Sequence, residues 1–175
     1  MATFYDHITE EQAALIRKAP VFFVATADPA LQNSPDGAGA VNVSPKGDLP
    51  LTILAPDRVA YLDYPGSGNE TARHSAEGGP ITVMVCSYDE DAAIVRLFGH
   101  ATVTPVEDAP IADQLTSSLE SQPTDPLRQI IDITIDRTMT SCGYGVPVMS
   151  FIRNRRKDDR GRVYKAAKDA PPVKV

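Results

Sequence analysis

Six short apolar or alternating runs follow one another between Val21 and Val106, and brief turn chemistry separates most of them. The runs are "VFFVATA" (Val21–Ala27), "VNVS" (Val41–Ser44), "LTIL" (Leu51–Leu54), "VAYLD" (Val59–Asp63), "ITVMVCS" (Ile81–Ser87) and "AIVRLFGHATVTPV" (Ala93–Val106). Between them stand "PKGDLP", "APDR" and "YDEDA", too short for a crossover helix. Parallel neighbours need a connection of about a dozen residues or more, so the spacing predicts an antiparallel sheet that closes as a barrel. Val95, Leu97 and Gly99 alternate with Arg96, Phe98 and His100, which gives that strand two distinct faces. "DPALQNSPDGAGA" is all helix and strand breakers and reads as a loop, and "IDITID" (Ile131–Asp136) gives a last half-buried strand.

Helices are peripheral to this pattern. Thr9 and Gln12 form a capping box, with Glu10 and Glu11 at the positive end of the helix dipole and Ile8 placed to staple the first turn. That helix is expected to run to Lys18 and stop before Pro20. A second is expected over Ala109–Leu119, where Ile111, Leu115 and Leu119 share a stripe. The fold class predicted is mainly β with some α, an antiparallel split β-barrel with peripheral helices.

The 175 residues suit one domain, expected over residues 1–152. From Arg153 onward nine Lys or Arg face three Asp, a balance of +6 against −6 for the whole chain, so residues 1–152 carry −12. An acidic body of that kind does not suit nucleic acid. The basic tail, 153–175, reads as solvated or as docked on an acidic surface of its own or a partner subunit. No apolar run reaches the ~18 residues of a membrane helix, and "MATFYDHITEE" has no signal-peptide pattern, so a cytoplasmic protein is expected. Cys86 and Cys142 lack metal-ligand or redox spacing and read as reduced, structural thiols.

Three stretches carry chemistry. In "YPGSGNETARH" (Tyr64–His74), Gly66 and Gly68 allow a tight turn, Asn69 suits a helix N-cap, and Thr71 and Arg73 add a hydroxyl and a guanidinium. Amides at such a helix start, with those side chains, suit a phosphate monoester. An ordinary capped surface helix fits the same letters. The Walker and dinucleotide glycine patterns are both absent. In "VNVSPKG", Asn42, Ser44 and Lys46 fall on one strand face, able to hold a flat heterocycle with Lys46 at an anionic group, or simply to face solvent. In "TSCGYGVP" (Thr140–Pro147) two glycines present Tyr144 on a turn.

Taken in order and spacing, "FFVATA", "VNVSPKG", "VAYLDYPGSGNETARH", "ITVMVCSYDEDAAIVRLFGHATV" and "TSCGYGVP" resemble the small single-domain branch of the pyridoxamine 5'-phosphate oxidase-like family, over about Phe4 to Pro147. The resemblance implies an FMN-binding oxidoreductase acting on a small molecule, and a homodimer with FMN at the subunit interface. It implies that Val43 and Ser44 line the flavin ring with their backbone, that Lys46 faces the phosphate or the electron-rich edge of the ring, and that Asp63 and Tyr64 end the strand beneath the cofactor. Asn69, Thr71 and Arg73 would hold the phosphate, and Tyr144 would close the partner's cleft. No acid or base is singled out. The Arg-x-His element with which pyridoxamine phosphate oxidases bind substrate phosphate is absent from "RNRRKDDRGRVYKAAKDAPPVKV", so poor turnover of pyridoxamine 5'-phosphate is expected. Flavin or haem binding without turnover, and a deazaflavin in place of FMN, are the alternative readings.

Overall fold

The computed structural model describes residues 1–155 apart from 36, 67, 120–122 and 124; of the basic tail, positions 156–175 lie outside the described residues. In chain order the elements are β1 (Thr3–Tyr5), α1 (Glu10–Lys18), β2 (Val21–Ala27), β3 (Val41–Gly47), β4 (Thr52–Ala55), β5 (Arg58–Asp63), α2 (Glu70–Ala76), β6 (Ile81–Cys86), β7 (Ala93–Pro105), a 3₁₀ turn (Val106–Asp108), α3 (Ala112–Ser117) and β8 (Gln129–Cys142). The strands make one eight-stranded sheet in the order β3-β2-β6-β7-β8-β5-β4, with β1 also on β8. Every pairing is antiparallel. The expected antiparallel split barrel is what the chain forms. Among the described residues no helix is long and apolar enough to cross a membrane.

The long β7–β8 ribbon bends the sheet. Phe98 opposes Arg137 but Gly99 opposes Ile135, so Asp136 is an extra residue on β8. A Cβ at Gly99 would lie 1.9 Å from the Thr134 carbonyl oxygen, which only glycine avoids. The bulge also shifts the buried phase of β8 from Ile131, Ile133 and Ile135 to Thr138. Beyond β7, the other edge of β8 is divided, with Gln129–Thr134 pairing β5 and Thr138–Thr140 pairing β1.

Register gives the sheet two opposite faces. Inward, Ser44, Val24, Val83, Leu97 and Thr138 form one cross-strand row, the last four fully buried. Outward, Pro45, Phe23, Met84, Arg96, Met139 and Phe4 form the adjacent row. Strand β3 is therefore inverted for an edge strand. Its polar Asn42, Ser44 and Lys46 are half-buried, while Val41 and Val43 are 62% and 64% exposed. Pro45, which cannot donate to a ladder, sits on this edge, where it has one neighbouring strand.

The capping box of α1 forms as expected, and Gln12 then reaches across to Thr138 and Thr140 on β8. The second expected helix is shorter. Ala109 precedes Pro110 and takes an extended backbone, so α3 begins only at Ala112, although Leu115 still packs its stripe inward. The last strand is longer than "IDITID", and β1 gave no alternation to read.

Candidate functional site

Strand β3 and α2 bring the polar stretches together at the open side of the barrel. Phe22 lies opposite Lys46 and Thr26 opposite Asn42, so the polar face of β3 turns toward the barrel interior. Lys46 Nζ sits 5.8 Å from the centre of the Tyr61 ring and 2.7 Å from Asp63 Oδ1. Asp63 ends β5 and is buried; its Oδ2 accepts from Arg128 Nη2 at 2.8 Å and Gln129 Nε2 at 3.0 Å. Burial alone would raise the Asp63 pKa, but hydrogen bonds from Lys46 and Arg128 outweigh it and hold the carboxyl below its usual value. Burial, with the Asp63 charge added, pushes the Tyr61 phenol far upward. Its hydroxyl, near Thr71, makes no hydrogen bond of normal geometry.

Helix α2 holds the second cation. Arg73 Nη1 donates to Asp28 Oδ2 at 2.7 Å, and Nη2 lies 2.8 Å from His74 Nε2. His74 is fully buried, and its Nδ1 lies 2.9 Å from Thr26 Oγ1. Burial and then the Arg73 charge lower the His74 pKa, so a neutral ring accepts from Arg73 and donates to Thr26. Asp28 also accepts from the backbone of Ala30 and Gln32, which tethers the 28–40 loop beside Arg73. At the far end of α2, Gly78 at φ +77° and Gly79 donate to Ser75 and His74 carbonyls in a Schellman stop.

Two cavities flank the Gly66–Glu70 loop. One, of about 440 Å³, is lined by Asn42, Ser44, Lys46, Asn69 and Thr71 among others. The other, of about 610 Å³, is lined by Ser34, Pro35, Asn69, Arg73 and Arg128 among others. Both share Gly66, Gly68, Asn69 and Glu70. Among the described residues, the buried side-chain polar atoms without a hydrogen-bond partner are Ser44 Oγ, Tyr61 Oη, Arg73 Nε and Arg128 Nε. Ser44 lines the smaller cavity, Arg73 and Arg128 line the larger, and Tyr61 lies behind them beside Lys46. Natural proteins leave few such groups, and each calls for a partner such as water, an ion or a ligand. A third cavity, of about 790 Å³ between the end of α1 and residues 149–155, has none of them in its lining.

Of the residues singled out from sequence, Ser44, Lys46, Asn69 and Thr71 share the smaller cavity, and Arg73 and Asn69 the larger. Asp63 binds Lys46 from behind. Val43 points to the outer face of β3, Tyr64 donates to Asp48 Oδ2 at 3.1 Å, and Tyr144 is 88% exposed; none of the three lines either cavity. One local expectation is corrected. Asn69 occupies the cap position of α2, but its side chain makes no cap bond, because Gln129 Nε2 holds its Oδ1 at 2.8 Å. The helix has seven residues, so the guanidiniums rather than its backbone are the groups to weigh. Sequence reasoning missed Arg128 and Gln129. Arg128 precedes β8 and Gln129 opens it, just before an apolar run, with no spacing that ties them to Asp63, 65 and 66 positions earlier.

An antiparallel split barrel with a cation-lined cleft at its open side is the class these observations define. The sequence profile described as pyridoxamine 5'-phosphate oxidase matches residues 8–142, and the chain belongs to that family. A pyridoxamine 5'-phosphate oxidase family protein of Aspergillus flavus is 34% identical over 153 residues, 86% of this chain and 58% of the relative. The chain thus spans a little over half of that relative's length. Two solved structures share the fold. A pyridoxamine 5'-phosphate oxidase-type protein of Lactobacillus delbrueckii has a TM-score of 0.56 at 22% identity, over 77% of this chain and 94% of its own. An FMN-binding protein of Syntrophomonas wolfei has 0.52 at 15% identity, over 80% and 84%.

Proposed function

We propose that the protein is an FMN-dependent oxidoreductase acting on a small molecule, working as a homodimer with its cofactor cleft at the subunit interface. The observation that carries this reading is that three of the four unpartnered buried polar atoms, those of Ser44, Arg73 and Arg128, belong to residues lining two cavities that share one glycine loop. Family membership and an FMN-binding structural relative support it.

The donor set fits FMN. A guanidinium has five N–H donors. Arg73 uses Nη1 and Nη2 on Asp28 and His74, and Arg128 uses Nη2 on Asp63, so each keeps donors for a phosphate in the larger cavity. Asn69 and Thr71 add neutral polar groups beside them. The smaller cavity, with Ser44 and Lys46, suits the polar edge of a flat ring, and Lys46 favours added negative charge there. FMN, when bound, supplies hydride and single-electron transfer. The chain's own residues bind it, orient it and screen it from water.

The inverted β3 supports the dimer. Val41 and Val43 face solvent on the same side of the sheet as Phe23, Met84, Met139 and Phe4, a mostly apolar outer face, interrupted by Arg96, that a second copy would cover. Tyr144, outside its own chain's cavities, would then be offered to the partner's cleft.

The test is the absorption spectrum of the purified protein, then titration with FMN and riboflavin. Blue absorbance that fades on addition of NADH or NADPH is the expected result. A haem spectrum, or tight binding of a deazaflavin but not FMN, overturns the cofactor assignment, and bound flavin that no donor reduces overturns the enzymatic one.

A further inference from the structure

Asp63 was a candidate cofactor contact on sequence grounds, but its carboxylate is occupied. Oδ1 accepts from Lys46, and Oδ2 from both Arg128 and Gln129, while its side chain is only 9% exposed. The backbone is engaged as well, since the Arg128 N–H donates to the Asp63 carbonyl at 2.9 Å. Asp63 is absent from the lining of both cavities, whereas two of its partners line them, Lys46 the smaller and Arg128 the larger. Its third partner, Gln129, passes the restraint on to Asn69, which lines both.

We propose that Asp63 is a positioning residue that touches no ligand and instead fixes Lys46 toward the ring side and Arg128 toward the phosphate side of the cleft. The inference rests on the flavin reading given above. Lys46 comes from edge strand β3 and Arg128 from the residue just before β8, with β2, β6 and β7 between those strands in the sheet order, and long cationic side chains lose much rotamer freedom when ordered. A buried anion between them orders both before any ligand arrives, so binding does not bear that loss. Arg128 is held by the same anion that holds Lys46, which makes the two cavities one coupled unit.

Asp63→Asn removes the charge and puts an amide donor against at least one of three donors. It is expected to weaken FMN by about ten- to a hundredfold and riboflavin by a smaller factor, through Lys46 alone. In a Lys46→Met/Arg128→Met background the same substitution should change either affinity by a much smaller factor, about threefold at most, because only the route through Gln129 and Asn69 remains. Asp63→Glu, which keeps the charged acceptor, should bind FMN more tightly than Asp63→Asn. Full additivity of Asp63→Asn in that background, unchanged flavin affinities in the single variant, or no recovery in Asp63→Glu overturns the proposal. If the parent binds neither flavin, the FMN reading fails, and inorganic pyrophosphate becomes the probe. Positioning then predicts that pyrophosphate raises the parent's melting temperature and not that of Asp63→Asn. Equal shifts in both, or none in the parent, overturn it.

Discussion

Lys46 Nζ lies 2.7 Å from Asp63 Oδ1, and this contact joins strands from opposite ends of the sheet order, β3 at one edge and β5 next to the other. No hydrogen-bonded ladder links those strands, so side chains close the barrel there and leave a cleft. The cleft is polar because β3 inverts the usual faces of an edge strand, with Ser44 and Lys46 inward and Val41 and Val43 outward.

Arg73 is the first test of the phosphate assignment. A hydrogen bond to a charged group contributes roughly 1.5–3 kcal/mol, so Arg73→Ala should weaken FMN by about ten- to a hundredfold. Riboflavin, without the phosphate, should lose little. Thr71→Ala removes a neutral group and should cost about 0.5–1.5 kcal/mol. Fluorescence titration of both flavins decides the matter. Equal losses for FMN and riboflavin would make Arg73 a prop for Asp28 and His74 instead.

The Arg73–His74 contact also predicts a pH dependence. His74 is neutral in the fold with its pKa lowered from 6.5, so below that value the unfolded chain binds a proton that the folded chain does not. Stability should therefore fall as pH drops below about 6.5, by at most about 1.4 kcal/mol per pH unit from this one group, and stop falling from this source below the folded pKa. Asp63, also lowered, adds its loss only at more acid pH, as the carboxyl protonates in the unfolded chain below 3.8 and then in the fold. Denaturant unfolding of the parent and His74→Gln between pH 7 and 5 tests this. The variant keeps an acceptor for Arg73 but cannot titrate, so its curve should be flatter; parallel curves would remove His74 as the cause.

Much of this was legible in the sequence, and the misses have physical reasons. Turn chemistry between short runs gave the antiparallel barrel, and the Thr9–Gln12 box gave α1. The full length of β8 was hidden because the Asp136 bulge shifts the alternation from Ile135 to Thr138. Arg128 and Gln129 were hidden because their link to Asp63 is tertiary, and a single sequence shows only local spacing. The glycine loop announced the site but not its wiring: Asn69, a natural cap by residue type, is claimed by Gln129 across the cleft.

Glu70 supplies a test with the opposite sign. It lines both cavities, and its carboxylate lies over Gly68, so close that a Cβ there would collide with it. A phosphate entering the larger cavity meets this like charge. Glu70→Gln should tighten FMN by about two- to fivefold, since partly exposed charge pairs are worth roughly 0.5–1 kcal/mol, and leave riboflavin unchanged. The gain should shrink as salt rises. Weaker FMN binding in the variant would mean that the carboxylate holds the loop or ligand, and the phosphate would then belong elsewhere.

Val43 tests the assembly. Its side chain is 64% exposed on the outer face of β3, opposite Ala25 on β2, in a sheet face whose neighbouring row holds Phe23 and Met84. Nothing inside the chain needs Val43, so a charged residue there should leave the fold almost intact, with surface substitutions usually within about 0.5 kcal/mol. Burying that charge against a second copy would be costly. Val43→Asp is therefore expected to give a folded monomer in sedimentation at concentrations where the parent is a dimer, with a melting temperature lowered by the loss of association. If the cleft is completed by the partner, the monomer should also bind FMN at least tenfold more weakly, by about 1.4 kcal/mol or more, although Val43 lines neither cavity of its own chain. A monomeric variant with parental FMN affinity would confine the site to one chain and remove Tyr144 from it. A variant still dimeric would move the interface off this face.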